Sequence, residues 1–247
     1  FITFQVESAV KSILALTTGS TFPNIDGKSI KAIEFPCPHT KAEQTAIAAA
    51  LSDADALISS LEKLIAKKRN IKQGAMQEIL TGKKRLPGFS GKWEVKKLGE
   101  IFNISAGGDF DPSQSSSIQD ETFCYPMYSN AISEKGLYGY CSYNDHEADS
   151  ITVTARGTLG IANYRNHKFT AIGRVLVLEP KELCDGRFFS EFINNRIDFV
   201  VESTGVPQLT APQISKYELP VPPFAEQTAI AQILSDMDAE IEQLEQK

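Results

Sequence analysis

Two stretches of the chain carry apolar residues at the spacing of a helical seam. Ile47, Leu51, Ala54, Ile58, Leu61 and Ile65 follow one another at intervals of 4, 3, 4, 3 and 4, and Ile230, Leu234, Met237, Ile241 and Leu244 at 4, 3, 4 and 3. A stripe this narrow marks a coiled coil rather than the broad face that a helix turns to a globular core. Pro36 and Pro38 stand just before the first stretch, and Pro220, Pro222 and Pro223 before the second, in extended entries where proline is tolerated. The first helix is predicted to run from about Lys41 to Leu80, with Thr81-Gly82 as its stop and Pro87-Gly88 as a turn. At 1.5 Å per residue it would be roughly 60 Å long, and a helix of that kind needs a partner. Between the two stretches, Trp93 to Leu219 alternates apolar and polar residues in short runs such as Ile151-Thr152-Val153-Thr154-Ala155 and Arg174-Val175-Leu176-Val177-Leu178. These read as strands, mostly antiparallel or mixed, with a helix from Phe188 to Val201. The expected fold is α+β: a β-rich domain attached to long helices.

The two helices are copies. Ala42-Glu43-Gln44-Thr45-Ala46-Ile47-Ala48 recurs as Ala225-Glu226-Gln227-Thr228-Ala229-Ile230-Ala231, and Leu51-Ser52-Asp53-Ala54-Asp55-Ala56 as Leu234-Ser235-Asp236-Met237-Asp238-Ala239, each at an offset of 183. Pro36-Cys37-Pro38 matches Pro220-Val221-Pro222 at 184 and Thr18-Gly19 matches Thr204-Gly205 at 186. The duplicated unit is far longer than the roughly 20 to 50 residues of solenoid repeats. The expectation is a chain that enters late in one copy and stops early in the next, either a fragment or a truncated gene product.

Composition narrows the class. At 42% hydrophobic and 23% charged residues the chain is neither disordered nor fibrous. No apolar run approaches the ~18 residues of a membrane span, so the cytoplasm is the expected location. Cys37, Cys124, Cys141 and Cys184 form no C-x-x-C pair, which disfavours a zinc site or a disulfide framework. The net charge of −6 argues against a polyanionic partner, but it is unevenly spread. Between Leu61 and Lys97 the cations Lys63, Lys67, Lys68, Arg69, Lys72, Lys83, Lys84, Arg85, Lys92, Lys96 and Lys97 face only Glu62, Glu78 and Glu94, a local +8 against −14 elsewhere. Such asymmetry points to nucleic acid or to an acidic surface; a solvated helix flank accounts equally well for Lys67, Lys68 and Arg69.

Several catalytic motifs fail on inspection. Val221-Pro222-Pro223-Phe224 resembles the Asn/Asp-Pro-Pro-Tyr/Phe signature of amino-methyltransferases, but valine cannot accept a hydrogen bond from an exocyclic amine. Ala106-Gly107-Gly108-Asp109-Phe110 lacks the strand and helix context of a dinucleotide fingerprint. Gly27-Lys28-Ser29 has Phe22 where a phosphate loop needs glycine. His39, His146 and His167 have neither metal spacing nor a nucleophile serine nearby.

The run Ile71-Lys72-Gln73-Gly74-Ala75-Met76-Gln77-Glu78-Ile79-Leu80-Thr81-Gly82-Lys83-Lys84-Arg85-Leu86-Pro87-Gly88-Phe89, closing a helix opened by Pro-x-Pro and Glu-Gln-x-x-Ile, resembles the conserved region of type I restriction-modification specificity subunits. Trp93-Glu94-Val95-Lys96-Lys97-Leu98-Gly99-Glu100-Ile101 with Ser105-Ala106-Gly107-Gly108 resembles the start of a target-recognition domain. Arg156-Gly157-Thr158-Leu159-Gly160 resembles its central loop and Thr204-Gly205-Val206-Pro207-Gln208-Leu209 its closing loop. The resemblance implies the remnant of a first recognition domain over 1–40, a spacer helix over 41–81, a complete recognition domain over 82–223 and the start of a second helix over 224–247, with the spacers as an antiparallel coiled coil.

It further implies a non-catalytic subunit that reads half of a bipartite site in double-stranded DNA and docks methyltransferase subunits on its helices. Nuclease/translocase subunits would join through the complex, and ATP and S-adenosylmethionine would sit on partners, leaving this chain without cofactor or metal. A fragment would also be able to self-associate. Candidate base readers are Arg156, Thr158, the Tyr164-Arg165-Asn166-His167-Lys168 cluster, Gln208 and Thr210; candidate phosphate contacts are Lys83, Lys84, Arg85, Lys96 and Lys97, with Lys92 beside them. The competing expectation is a coiled-coil adaptor whose β-rich domain binds protein rather than DNA.

Overall fold

The structure is a computed structural model that describes residues 1–14, 27–200 and 207–246. Thr18-Gly19-Ser20-Thr21 and Thr204-Gly205-Val206 lie outside the described residues. The chain forms two units, residues 1–67 and 68–247.

The first unit holds three short helices, α1 (Ile2–Ser8), α2 (Val10–Leu14) and α3 (Gly27–Lys31), and the start of the long helix α4 (Lys41–Ile79). The Thr40 hydroxyl accepts from the Glu43 amide at 3.2 Å, capping α4 next to the predicted start. Among the described residues of 1–67 none is buried, and Leu51, Leu57 and Ile58 on α4 stand open to solvent. Of the seam read from sequence, Leu51, Ala54 and Ile58 are thus exposed, while Ile47, Leu61 and Ile65 are half-buried.

The second unit contains the last turns of α4, then β1 (Glu94–Lys97), α5 (Leu98–Ile101), β2 (Phe102–Ala106), β3 (Ser115–Ser116), β4 (Tyr125–Tyr128), β5 (Leu137–Cys141), β6 (Ser150–Val153), β7 (Ala162–Arg165), β8 (Thr170–Ala171), β9 (Leu176–Pro180), α6 (Gly186–Arg196), α7 (Ala211–Ile214), β10 (Glu218–Val221) and α8 (Phe224–Glu245). One antiparallel sheet runs β2-β9-β6-β7, a second runs β3-β5-β4-β8 with β4 and β8 parallel, and β1 pairs β10 as a two-stranded ribbon. The α+β expectation with mixed strands holds. Strand β6 is buried on both faces because it lies between β9 and β7 and carries α6 over it. Phe188, Phe189 and Ile193 of α6 are fully buried, with Phe189 edge-on to Phe102 at 5.2 Å.

Two boundaries differ from the sequence reading. Helix α6 starts two residues early because the Asp185 carboxylate accepts from the amides of Arg187 and Phe188. It stops at Arg196, after which the extended Ile197 lets Phe199 pack edge-on against Tyr217 at 4.9 Å. Strand β9 begins at Leu176, not Arg174, because Ile172 to Val175 forms a turn whose central residues, Gly173 and Arg174, both have positive φ.

Helices α4 and α8 begin at Lys41 and Phe224, positions related by the same offset of 183. Within the second unit Met76, Ile79 and Leu80 share one core with Ile230, Ala231 and Leu234. Lys68 pairs with Glu240 at 2.7 Å and Lys72 with Asp238 at 2.6 Å, so the two helices run antiparallel there; Arg69 reaches Glu245 at 2.5 Å. The repeated Glu-Gln opens α8 as a clamp. Glu226, wholly buried, accepts from Arg85 Nε and Nη2 at 2.7 and 2.5 Å and from Trp93 Nε1 at 3.0 Å. Gln227 donates to the Pro222 carbonyl at 2.8 Å and accepts from the Asp185 amide at 2.9 Å. In the first copy Gln44 repeats the carbonyl bond, to Pro38 at 3.0 Å, while Glu43 is exposed. Among the described residues no helix is long and apolar enough to cross a membrane.

Candidate nucleic-acid interface

The loop between β6 and β7 is built around Thr154. Its hydroxyl donates to the Thr158 carbonyl at 2.5 Å and accepts from the Ile161 amide at 2.9 Å, while its carbonyl takes the Gly160 amide at 2.8 Å. These bonds fold residues 155–160 into a tight projection whose tip, Arg156 followed by Gly157 at φ +69, faces solvent. The second loop is tied to the first by the Leu209 amide, which donates to the Ala155 carbonyl at 3.0 Å. That pairing brings Gln208 against Arg156, whose Nε and Nη2 both donate to Gln208 Oε1, at 3.1 and 2.9 Å. Thr210 is exposed and caps α7, its amide and hydroxyl donating to Gln213 Oε1 at 3.0 and 2.9 Å. Arg156, Thr158, Gln208 and Thr210, about fifty residues apart in sequence, therefore form one surface patch.

The Tyr164–Lys168 cluster does not join it. These residues lie toward the other end of β7, which spans about 10 Å from Ala162 to Arg165 at the usual rise. Arg165 is corrected from a base reader to an interior residue. It is 4% exposed, donates to Thr152 Oγ1 at 3.0 and 2.9 Å and to the Lys135 carbonyl at 2.5 Å, and lies 3.4 Å above the Tyr128 ring. Burial brings its guanidinium down to about 10. Tyr164 donates to Asp149, and burial reinforced by that carboxylate pushes its phenol up to about 12. His167 is wedged between Tyr128 Oη at 2.9 Å and Asn166 Oδ1 at 2.8 Å; partial burial, then the charge of Arg165, lowers its pKa. Lys168 is exposed and pairs with Glu147 at 3.0 Å.

The cationic run at the helix–domain junction looks different in space. Arg85 is held by Glu226 and stacks 5.4 Å from Trp93, so it is a structural residue rather than a free phosphate ligand. Lys96 sits between Glu182 at 2.6 Å and Glu94 at 3.7 Å, which raise its pKa, the hydrogen bond to Glu182 most of all. Lys84 lies 3.9 Å from Glu78. Lys83, Lys92 and Lys97 are exposed with no ion-pair partner among the described residues.

Two residues beside the Arg156 loop were not singled out from sequence. Asn130 Oδ1 accepts from the Ala155 amide at 2.7 Å and its Nδ2 donates to the Gly173 carbonyl at 2.5 Å, riveting the loop to the Gly173-Arg174 turn. Arg174, at φ +68, is exposed. The signal available was Gly173 ahead of a β-branched run, a turn rather than a strand start.

The family described as the type I restriction modification DNA specificity domain matches residues 1–73 and 90–247. A Mycoplasma pneumoniae protein named as a type I specificity subunit is 33% identical over 141 residues, 57% of this chain and 42% of that protein. The specificity subunit of the type I restriction enzyme MjaVIII from Methanocaldococcus jannaschii is 26% identical over 268 residues, 96% of this chain and 62% of that one. Among solved structures, the S subunit of a type I restriction-modification system from M. genitalium superimposes with a TM-score of 0.73 at 23% identity, over 98% of this chain and 66% of that chain. The chain thus spans about two fifths of the first relative and under two thirds of the second. Its two matched segments carry the two copies of the repeat, and the chain belongs to the type I restriction modification DNA specificity domain family.

Proposed function

We propose that this chain is a DNA-reading part of a type I restriction-modification specificity subunit. Its recognition domain, residues 82–223, reads one half of a bipartite duplex target, and α4 and α8 dock methyltransferase subunits. It works in the cytoplasm by recognition rather than catalysis, with S-adenosylmethionine, ATP and the nuclease/translocase on partner subunits. Residues 1–40 serve as the tail of another recognition domain, 41–81 as the spacer and 224–247 as the start of its copy. The observation that carries this reading is the Arg156–Gln208 pair, which joins two neighbouring loop segments in a chain of this family. An arginine held by a neutral partner keeps its charge for an external acceptor and is oriented before binding. Guanine offers O6 and N7 in the major groove to such a fork, and glutamine can serve adenine. The exposed Leu51 and Ile58 on the seam of α4 support the docking role.

The test is methylation mapping in cells carrying the parent locus, with and without the gene, and with Arg156→Ala and Gln208→Ala together. The expected result is one bipartite motif lost without the gene and relaxed in one half-site by the double variant. Unchanged methylation in the double variant would refute the loop assignment. Failure of an assembled subunit to bind any duplex, at any salt concentration, would favour the adaptor reading.

A further inference from the structure

We infer that Arg174 is a backbone-phosphate contact of the same DNA-reading surface, held at a fixed separation from Arg156 by Asn130; the inference rests on the DNA-recognition reading. The Ile172–Val175 turn is stitched to the Gly107-Gly108 segment by four main-chain bonds. Gly107 and Gly108 donate to Val175 and Ala171 at 2.7 and 3.1 Å, and Gly173 and Arg174 donate back to Gly108 and Gly107 at 2.9 and 3.1 Å. The stitching requires glycine at 107, where a Cβ would come within 2.7 to 2.8 Å of the Ala171–Ile172 backbone. A rigid turn thus presents a long cationic side chain from a left-handed backbone position, a conformation that disfavours any residue but glycine. An arginine kept there points to a use for its charge.

Its surroundings point the same way. Arg69, Arg85 and Arg187 each have a carboxylate partner, whereas among the described residues Arg156, Arg165, Arg174 and Arg196 have none within 4.0 Å; of these Arg165 is buried and Arg196 closes α6, which leaves Arg156 and Arg174 on exposed loops. Asn130 bonds both Ala155 and Gly173, so these two loop arginines sit on segments joined through one side-chain amide. Their roles differ by their support. Arg156 is oriented by Gln208, as reading a base edge requires; Arg174 has no such buttress and suits a phosphate, which asks for charge rather than a fixed fork.

The experiment measures binding of the chain to a labelled duplex of about 30 base pairs of random sequence by anisotropy, from ~50 to ~200 mM salt. Arg174→Gly fits the positive φ, so the fold is retained and Tm is equal or higher. Affinity is expected to fall about five- to tenfold, and the slope of log K against log salt to shrink by about 0.9, one phosphate contact. Arg174→Lys is expected to restore the slope. Wild-type binding with an unaltered affinity and slope in Arg174→Gly overturns the inference and leaves the DNA-recognition reading standing. Absence of any wild-type binding overturns both.

Discussion

Leu80 is the last residue of the long helical stretch to enter the core of the second unit, and its truncation measures how firmly that core grips the helix. It is wholly buried beside Met76 and Ile79, and shares a cluster with Ile230, Ala231 and Leu234 of α8. Leu80→Ala removes a buried methine and two methyl groups from a cluster of regular helices and strands, so collapse into the cavity is restricted. Its cost is then about 2–5 kcal/mol. With a urea dependence of ~2 kcal/mol/M for a unit of this size, the midpoint should fall by about 1–2 M, and Tm by roughly 5–15 °C. The chain has a single tryptophan, Trp93, which lies in the second unit, 6.4 Å edge-on from Phe188 and bonded to Glu226. Its emission therefore reports unfolding of this unit alone. Leu57→Ala is the control: Leu57 is 60% exposed and belongs to residues 1–67, so the Trp93 transition should not move. A midpoint shift below about 0.3 M for Leu80→Ala with an unchanged slope, or equal shifts for the two variants, would show that α4 is not anchored where the structure puts it.

Gly107→Ala and Gly108→Ala form a matched pair: the first meets backbone within 2.8 Å and should lower Tm and weaken duplex binding, while the second has nothing within 4 Å and should leave both unchanged. Thiol titration at pH 8 should modify Cys37 and Cys124, which are exposed, and spare Cys141, which is buried, and Cys184, whose thiol is pushed up to about 12 by burial and by Asp185, Glu182 and Asp149; all four should react after denaturation. His167 has a lowered pKa, so its neutral form is favoured by folding. The stability it contributes is present above the unfolded value of ~6.5 and is lost as pH falls through the folded value. Thermal melts from pH 7.5 to 5 should fall more steeply for wild type than for His167→Gln, and equal slopes would contradict the assignment.

The helices were legible because their signal is local: the 4-3 spacing and the repeated Glu-Gln place both starts at equivalent residues, Lys41 and Phe224. The strand Ser150–Val153 was equally visible in the β-branched run Ile151-Thr152-Val153. Which side of a strand faces inward was not. Arg165 sits at the end of β7, with the interior on its side of the pleat, and only the tertiary partners Thr152, Tyr128 and Lys135 reveal it. Arg174 was misplaced for a related reason, because a Val-Leu run draws the strand start forward while two successive positive φ values, invisible in sequence, hold the turn. The Arg156–Gln208 contact joins residues separated by 52 positions, and single residues could be nominated but not paired.

Charge, too, is compensated over long sequence distances. Counted along the chain, Leu61 to Lys97 is strongly cationic, yet Lys68, Arg69 and Lys72 meet Glu240, Glu245 and Asp238 of α8, Arg85 meets Glu226, and Lys96 meets Glu182. The compensating carboxylates arrive from more than eighty residues away, so a sequence window registers the cations and misses their partners. What survives compensation is a better guide to a polyanion than what is counted, because a phosphate competes poorly for an ammonium or guanidinium already engaged by a carboxylate. By that criterion the cations at the junction reduce to Lys83, Lys92 and Lys97, and among the unpaired cations of the domain Arg156 and Arg174 are the two on loops joined through Asn130. The two sets predict separable effects. Removing Lys83 and Lys97 together should lower the salt dependence of duplex binding by up to about two contacts without altering half-site choice, whereas removing Arg156 should alter choice as well. A double-lysine variant that changes the methylated motif would place base reading at the junction and overturn this division.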